Sequence, residues 1–246
     1  MMGMTTAIWE KYVEFKHEWL KITTTALVSP LLYLIALGWG LGASSYVADM
    51  PYIDFLVPGI IALTTMNNGF SSVGLSLNVQ RLFEHSFDQI IISPTPIGQY
   101  LLGQTVAGAL RGMYAGCLVL IVSLLFGASV ALSPMFFLVM FLNGMLFAAL
   151  GTLAAILATT HSDISRFSTF VILPMTFLCN TFFPVEKVPA LIRKVIDLLP
   201  LTHASGLLRS LSSSGVFKLS SMAVLIAYTM FFLALSTLVV HKRRNL

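Results

Sequence analysis

The chain has 246 residues, of which 57% are hydrophobic and 10% charged, with a formal net charge of +4. Soluble domains carry about 25% charged residues, so a mean hydropathy of +0.89 excludes an ordinary soluble enzyme and predicts an all-α integral membrane protein. The basic residues fall mostly at the ends of apolar segments, where membrane topology places them, and this sets nucleic-acid binding aside.

Residues 5–21 form the first predicted element. Ile8, Tyr12, Phe15, Trp19 and Ile22 recur by fours and threes, which gathers an apolar and aromatic stripe on one helical face. Lys11, Lys16, Lys21, Glu10, Glu14 and Glu18 occupy the remainder. Such a helix lies in the membrane interface with Trp19 as an anchor. Its glutamates and its lack of an apolar core predict no cleavable signal peptide. His17-Glu18 opens like a zinc-protease motif, but Lys21 stands where the second histidine belongs, so no metal site is expected.

Six spans of about 20 residues follow near 22–43, 55–78, 102–127, 134–158, 168–183 and 218–240. Cys117 and Cys179 lie inside them and read as small packing residues rather than a disulfide. Lysines and arginines cluster in the N-terminal helix, in the connections carrying Arg81 and Arg166, and in the tail at 241–246. Both termini are therefore expected in the cytoplasm. The connection 184–217 breaks the rule, because Lys187, Arg193, Lys194 and Arg209 fall on its outer side.

Asn67, Asn68, Ser71, Ser72, Asn143 and Asn180 sit inside spans. Interhelical hydrogen bonding, worth about 0.6 kcal/mol each, is favoured over contact with a transported substrate, which stays as the alternative. Arg111 lies about one turn from the cytoplasmic face, near enough to snorkel. On the same helix Gly108, Gly112 and Gly116 recur every four residues and offer a face for close helix contact.

Two short amphipathic helices are expected outside the spans. In the cytoplasmic connection, Leu82, Phe87, Ile90 and Ile91 alternate with Arg81, Glu84, His85, Asp88 and Gln89 before Pro94 and Pro96 stop the helix. It suits docking of a soluble partner or resting on headgroups, and periodicity does not separate the two. In the outer connection, Pro184 and Pro189 set a turn around Glu186. Leu191, Val195, Leu198 and Leu199 then recur around Arg193, Lys194 and Asp197 until Pro200. That helix is too charged and too short to cross a bilayer.

Three stretches carry a resemblance: Arg81 with 88–96, Gly103 with Gly108–Gly112, and Phe183-Pro184 through Pro189 to Leu199-Pro200-Leu201-Thr202-His203 and Arg209. Together with the six spans they resemble the permeases of type-2 ABC exporters of drugs, polysaccharides and lipo-oligosaccharides. The resemblance implies one permease domain over 1–246: interfacial helix 1–21, spans one to five within 22–183, outer helical segment 184–217, span six and a tail. It implies a multi-pass protein of the inner or plasma membrane, paired with a second copy and surrounded by lipid. Separate ABC ATPase subunits, which hold ATP and magnesium, would dock on the coupling helix through Arg81, Glu84, His85, Asp88 and Gln89. Re-entrant helices bearing Pro184, Glu186, Pro189, Arg193, Pro200 and Arg209 would cap the exit. Asn67, Asn68, Arg111, Asn143 and Asn180 would serve the pathway or helix packing. The chain departs from the family pattern at Asn180, where glycine is frequent, and at Leu199, where asparagine is.

The chain has no G-x-x-x-x-G-K-[ST] and no Gly-Lys pair, so no nucleotide cofactor is expected on it and hydrolysis would occur on another polypeptide. An ion-coupled secondary transporter is the first rival reading, weakened because no acidic residue or histidine falls inside a predicted span. An intramembrane hydrolase is the second. Its nearest serine motif, His203-Ala204-Ser205-Gly206, lacks the first glycine and lies outside the spans.

Overall fold

In a computed structural model of the protein, residues 2–41, 46–47, 50–93, 95–179, 181–182, 189–213, 215 and 217–244 are described. The architecture is helical apart from one antiparallel pair, Tyr46–Val47 with Met50–Pro51. α1 (Met2–Tyr33) continues as a π-helical segment, Leu34–Leu41. α2 (Tyr52–Leu82), α3 (Ser86–Ile92), α4 (Ile97–Leu125) and α5 (Pro134–Leu157) follow. α6 (His161–Phe167) runs through a π turn, Ser168–Ile172, into α7 (Leu173–Leu178), and α8 (Ala190–Leu198), α9 (Pro200–Ser213) and α10 (Leu219–Arg244) complete the chain.

Among the described residues four helical stretches are long and apolar enough to cross a membrane: Gly3–Gly38, Ile97–Leu125, Pro134–Leu157 and Leu219–Lys242. α2 is equally long, about 46 Å at 1.5 Å per residue, but Asp54, Asn67, Asn68, Asn78 and Arg81 dilute its hydropathy. It is nonetheless deeply enclosed, with every residue from Phe55 to Met66 buried.

α2 packs along α5 and α4, and α4 along α5, which makes these three helices the core. Glycine sets their spacing. A Cβ on Gly112 would stand 2.7 Å from the Thr65 carbonyl oxygen, and one on Gly69 would stand 2.9 Å from that of Gly144. A Cβ on Gly144 would meet the Ala109 backbone at 3.0 Å, and one on Gly151 the Phe70 carbonyl at 2.6 Å. The expected face of Gly108, Gly112 and Gly116 is thus turned onto α2, and α2 and α5 answer it with glycines of their own. With lipid outside as apolar as the interior, close backbone approach supplies the dispersion contact that hydrophobic burial supplies in water.

The structure sharpens three expected boundaries. The helix from Met2 and the one that runs on to Tyr33 meet at a kink at Glu18 (φ −115°, ψ 15°), three residues ahead of the expected division at residue 21. The helix that holds the expected segment from 168 starts earlier and runs without a break from His161 to Leu178. Pro200 opens α9 as well as ending α8: the extended Leu199 before it makes the turn, and a proline is well tolerated in a first helical turn.

Asp163 builds the α5–α6 turn. Its Oδ2 accepts from the Thr160 N–H at 2.8 Å, the Thr159 N–H at 3.0 Å and the Thr159 hydroxyl at 2.9 Å, as in a capping box. These donors hold its carboxyl down from 3.8 to about 2. Its stabilisation is therefore complete above the ordinary carboxylate value and is lost as pH falls through about 2.

Two measurements follow from these contacts. Gly112→Ala should destabilise the protein by about 1–3 kcal/mol through overpacking, read as a lowered unfolding midpoint in mixed micelles. Gly206→Ala, with nothing within 4 Å of its new Cβ, should not. Asp163→Asn should speed hydrogen exchange at the Thr159 and Thr160 amides. In the parent chain that protection should persist at pH 4 and disappear toward pH 2.

Candidate functional site

At one end of the bundle α2 stops at Leu82, and His85 turns the chain with a left-handed conformation (φ 53°) into α3. α3 is two-sided. Phe87 is buried against Tyr100, ring to ring at 6.3 Å, and Ile90 and Ile91 are half-buried. Glu84, His85, Asp88 and Gln89 face outward with Ile92, which is 84% exposed. The His85 Nδ1 lies 3.3 Å from the Asp88 carboxylate. An apolar side fixed on the bundle and a polar side free in solution is the pattern expected from the sequence.

Arg81 departs from that pattern. Its guanidinium turns inward and donates to the carbonyls of Ala155, Ile156 and Ala158, the last carbonyls of α5. These groups have no acceptor role inside their own helix and carry the negative end of its dipole, so a guanidinium satisfies both the hydrogen bonds and the charge. Arg81 thus fastens the end of α2 to the end of α5. A cavity of about 350 Å³ between Arg81, Phe87, Asp88, Ile91, Ile156 and Val240 lies beneath α3.

The first half of α1 is tied to the same end. Gly3, Ala7 and Lys11 form its buried face, where a Cβ on Gly103 would meet Ala7 at 2.9 Å. Glu10 accepts from Gln80, Tyr100 and Gln104. Lys11, expected among the outward polar residues, is only 7% exposed and donates to Glu14 and Ser76. Arg111, expected to snorkel, instead reaches the other oxygen of Glu14 at 3.0 Å. Nothing in the amphipathic pattern announces this network. The cue was the small-residue face Gly3-Ala7, which continues to Lys11 at the same spacing of four.

Midway along the bundle a cleft of about 280 Å³ opens between α1, α2 and the α6–α7 helix, lined by hydroxyls and carboxamides including Ser29, Thr64, Asn67, Asn68 and Ser168. Asn67 is exposed, and Asn68 donates to the Thr64 carbonyl at 3.0 Å. Asn143 is elsewhere: fully buried, it donates to the Ala62 carbonyl at 3.0 Å and serves α2–α5 packing. Of Asn67, Asn68, Ser71, Ser72, Arg111 and Asn143, the described polar residues singled out in the spans, only Asn67 and Asn68 line the cleft. Asn180 lies outside the described residues.

At the far end, α8 follows Pro189 and exposes Arg193, Lys194 and Asp197 together with Leu191, Val195 and Leu198; among its described side chains only Ile196 is buried. The Thr202 hydroxyl donates to the Ile196 carbonyl at 2.6 Å and fixes the corner ahead of α9, where Pro200 is buried. Arg209 faces inward. It is 8% exposed, with Nε 3.1 Å from the Phe55 carbonyl and its guanidinium 3.7 Å above the Phe55 ring. Pro184 and Glu186 lie outside the described residues. No three histidine, cysteine or acidic side chains converge as metal ligands among the described residues.

Residues 3–213 match the family described as ABC-2 type transporter. The chain is 29% identical over 202 residues to the inner membrane transport permease YadH of Escherichia coli (strain K12), covering 80% of this chain and 78% of that protein. It is 29% identical over 206 residues to nodulation protein J of Rhizobium meliloti (strain 1021), covering 82% and 79%. Nodulation protein J of Bradyrhizobium diazoefficiens is 28% identical over 207 residues, covering 83% and 79%. A bundle whose long apolar helices are joined by a fixed, two-sided α3, and whose sequence matches over nearly its whole length, belongs to the ABC-2 type transporter family: the chain is a transmembrane permease subunit of an ABC transporter.

Proposed function

We propose that the chain is the membrane half of an ATP-driven exporter of the inner membrane, working as a permease dimer above two separate ATPase subunits. The observation that carries this reading is α3, with Asp88 and Gln89 outward on a helix anchored through Phe87 and Glu84 and His85 outward in the turn before it. Arg81 is then a positioning residue: it ties the end of α2, from which the chain turns into α3, to the end of α5, so that a push on α3 is passed through α2 to the core. ATP and magnesium belong to the partner ATPase, since this chain has no phosphate-binding loop.

The reading assigns six crossings to the second half of α1, to α2, α4 and α5, to the α6–α7 helix, and to α10. It places α3 and both termini in the cytoplasm, where Lys11, Lys16, Lys21, Arg81, Arg166 and Lys242 agree with the positive-inside bias. α8 and α9 lie at the outer face and cap the exit. The cleft at Asn67 and Asn68 is the strongest candidate for the pathway wall. An exposed carboxamide at bilayer depth is costly unless it meets water, cargo or a second protein surface.

Asp88→Arg should abolish co-purification of the ATPase while leaving membrane insertion unchanged; retention of the ATPase would remove α3 as its dock. Purified alone, the chain should hydrolyse no ATP, and transport by the isolated chain driven by an ion gradient would restore the secondary-transporter reading. Cysteine at Lys194 should react with an impermeant thiol reagent from outside intact cells. Labelling from the cytoplasmic side alone would invert the topology.

A further inference from the structure

A second cavity, of about 250 Å³, lies between the first half of α1 and α4 with α2 as its floor. Its walls are mainly apolar: Ile8, Tyr12 and Phe15 on one side, Ala107, Leu110 and Tyr114 on the other. Phe15 and Tyr114 meet edge to face at 5.0 Å. The charged side chains lining it are Lys11 and Arg111, both cations. They share one carboxylate, Glu14, at 2.7 and 3.0 Å, so two cations face the cavity around a single paired acid. Glu10, the other acid on this face, attracts Lys11 from outside the cavity and accepts from Gln80, Tyr100 and Gln104.

Donors also remain. An ammonium has three N–H groups and a guanidinium five. Lys11 uses two, on Glu14 and Ser76, and Arg111 places Nη1 on Glu14. The remaining N–H groups of Arg111 have no acceptor among the described residues. The depth is marked independently by Trp9, Tyr12 and Trp19, which are 66%, 54% and 51% exposed on this helix and form the aromatic belt of a headgroup region. A site at that depth with an apolar body and a cationic mouth matches one kind of molecule: a chain-bearing anion lying in the leaflet.

We propose that this cavity binds an anionic phospholipid, with the phosphate on Arg111 and Lys11 and the start of one acyl chain between Phe15, Ala107 and Leu110. The volume is below the roughly 300–1,000 Å³ of sites that enclose a whole ligand, so the remainder of the lipid stays in the bilayer. The bound lipid bridges α1 to α4 and supplements Glu14 in holding the two together. Its assignment to the cytoplasmic leaflet rests on the orientation proposed above; the site itself does not, and its test is carried out without regard to topology or to the ATPase.

The test uses the full chain in detergent, titrated with phosphatidylglycerol, with phosphatidylcholine of the same chains, or with inorganic phosphate, while the thermal unfolding midpoint is followed. Phosphatidylglycerol should raise the midpoint saturably, and the other two should not. Arg111→Gln should weaken the half-saturating concentration roughly fivefold, the loss expected from one cation near an anionic lipid surface. Because that change also frees Glu14, Ala107→Phe provides a second arm: it fills the apolar wall, keeps both cations, and should abolish the shift. An equal response to phosphatidylcholine would leave only apolar adsorption and overturn the proposal. An equal response to inorganic phosphate would reduce the site to a bare anion site and overturn it too, as would an undiminished shift in the Ala107→Phe protein.

Discussion

Everything in this bundle depends on how closely α2, α4 and α5 approach one another. The Thr65 carbonyl lies where a side chain on Gly112 would begin, and the Gly144 carbonyl where one on Gly69 would. Contacts of this kind leave the helices no sliding room, because any residue larger than glycine must push backbone rather than a flexible side chain. In water a core of this size would be secured by apolar burial. In lipid that drive is nearly absent, and the three helices are held by dispersion at short range with a few polar bonds such as Asn143 to Ala62. A close-packed three-helix core is the consequence, and the remaining helices pack around it.

The polar bonds that matter most lie at the ends of this core. Arg81 caps α5 from α2, and Asp54 at the opposite end of α2 takes the Ser129 N–H and hydroxyl at 2.8 and 2.9 Å. Charges gather there because an ion pair or a capped helix end is affordable where water or headgroups are near, and costly at mid-bilayer. The middle of the bundle is left with hydroxyls that mostly satisfy themselves on their own helix, as Thr64 and Thr65 do on Ile60 and Ile61. Asn67, exposed at that depth, is the exception that makes the α1–α2 cleft conspicuous.

Much of this was legible in the residues. Periodicity located α8 almost to the residue, since a run such as Leu191, Val195 and Leu198 between prolines admits few other conformations, whereas α3 starts only at Ser86 because Arg81 and Leu82 still belong to α2. The spacing of Gly108, Gly112 and Gly116 identified a contact face, though not that α2 and α5 would present glycines to the same seam. Partners were what periodicity could not supply. A lone arginine at 81 looks like a docking residue until the orphan carbonyls of α5 are seen within its reach, and Lys11 looks solvated until Ser76 and Glu14 surround it. Helix spacing fixes which face a residue shares, whereas long-range pairing depends on how separate helices are docked.

The kink at Glu18 joins these observations. Before it, α1 is pinned to α4 and to the end of α2 by Glu10, Lys11 and Glu14; beyond it, Thr25, Ser29 and Tyr33 run beside the open cleft at Asn67. One helix therefore has a first half fixed to the core near α3 and a second half facing the most polar opening in the bundle. Because Gln80 in the last turn of α2 donates to Glu10, a displacement of that end of α2 has a polar path to the first half of α1. The non-helical residue at the kink is the point where that displacement can become a change of angle. The cleft is walled by that second half of α1, so its width depends on the angle at the kink.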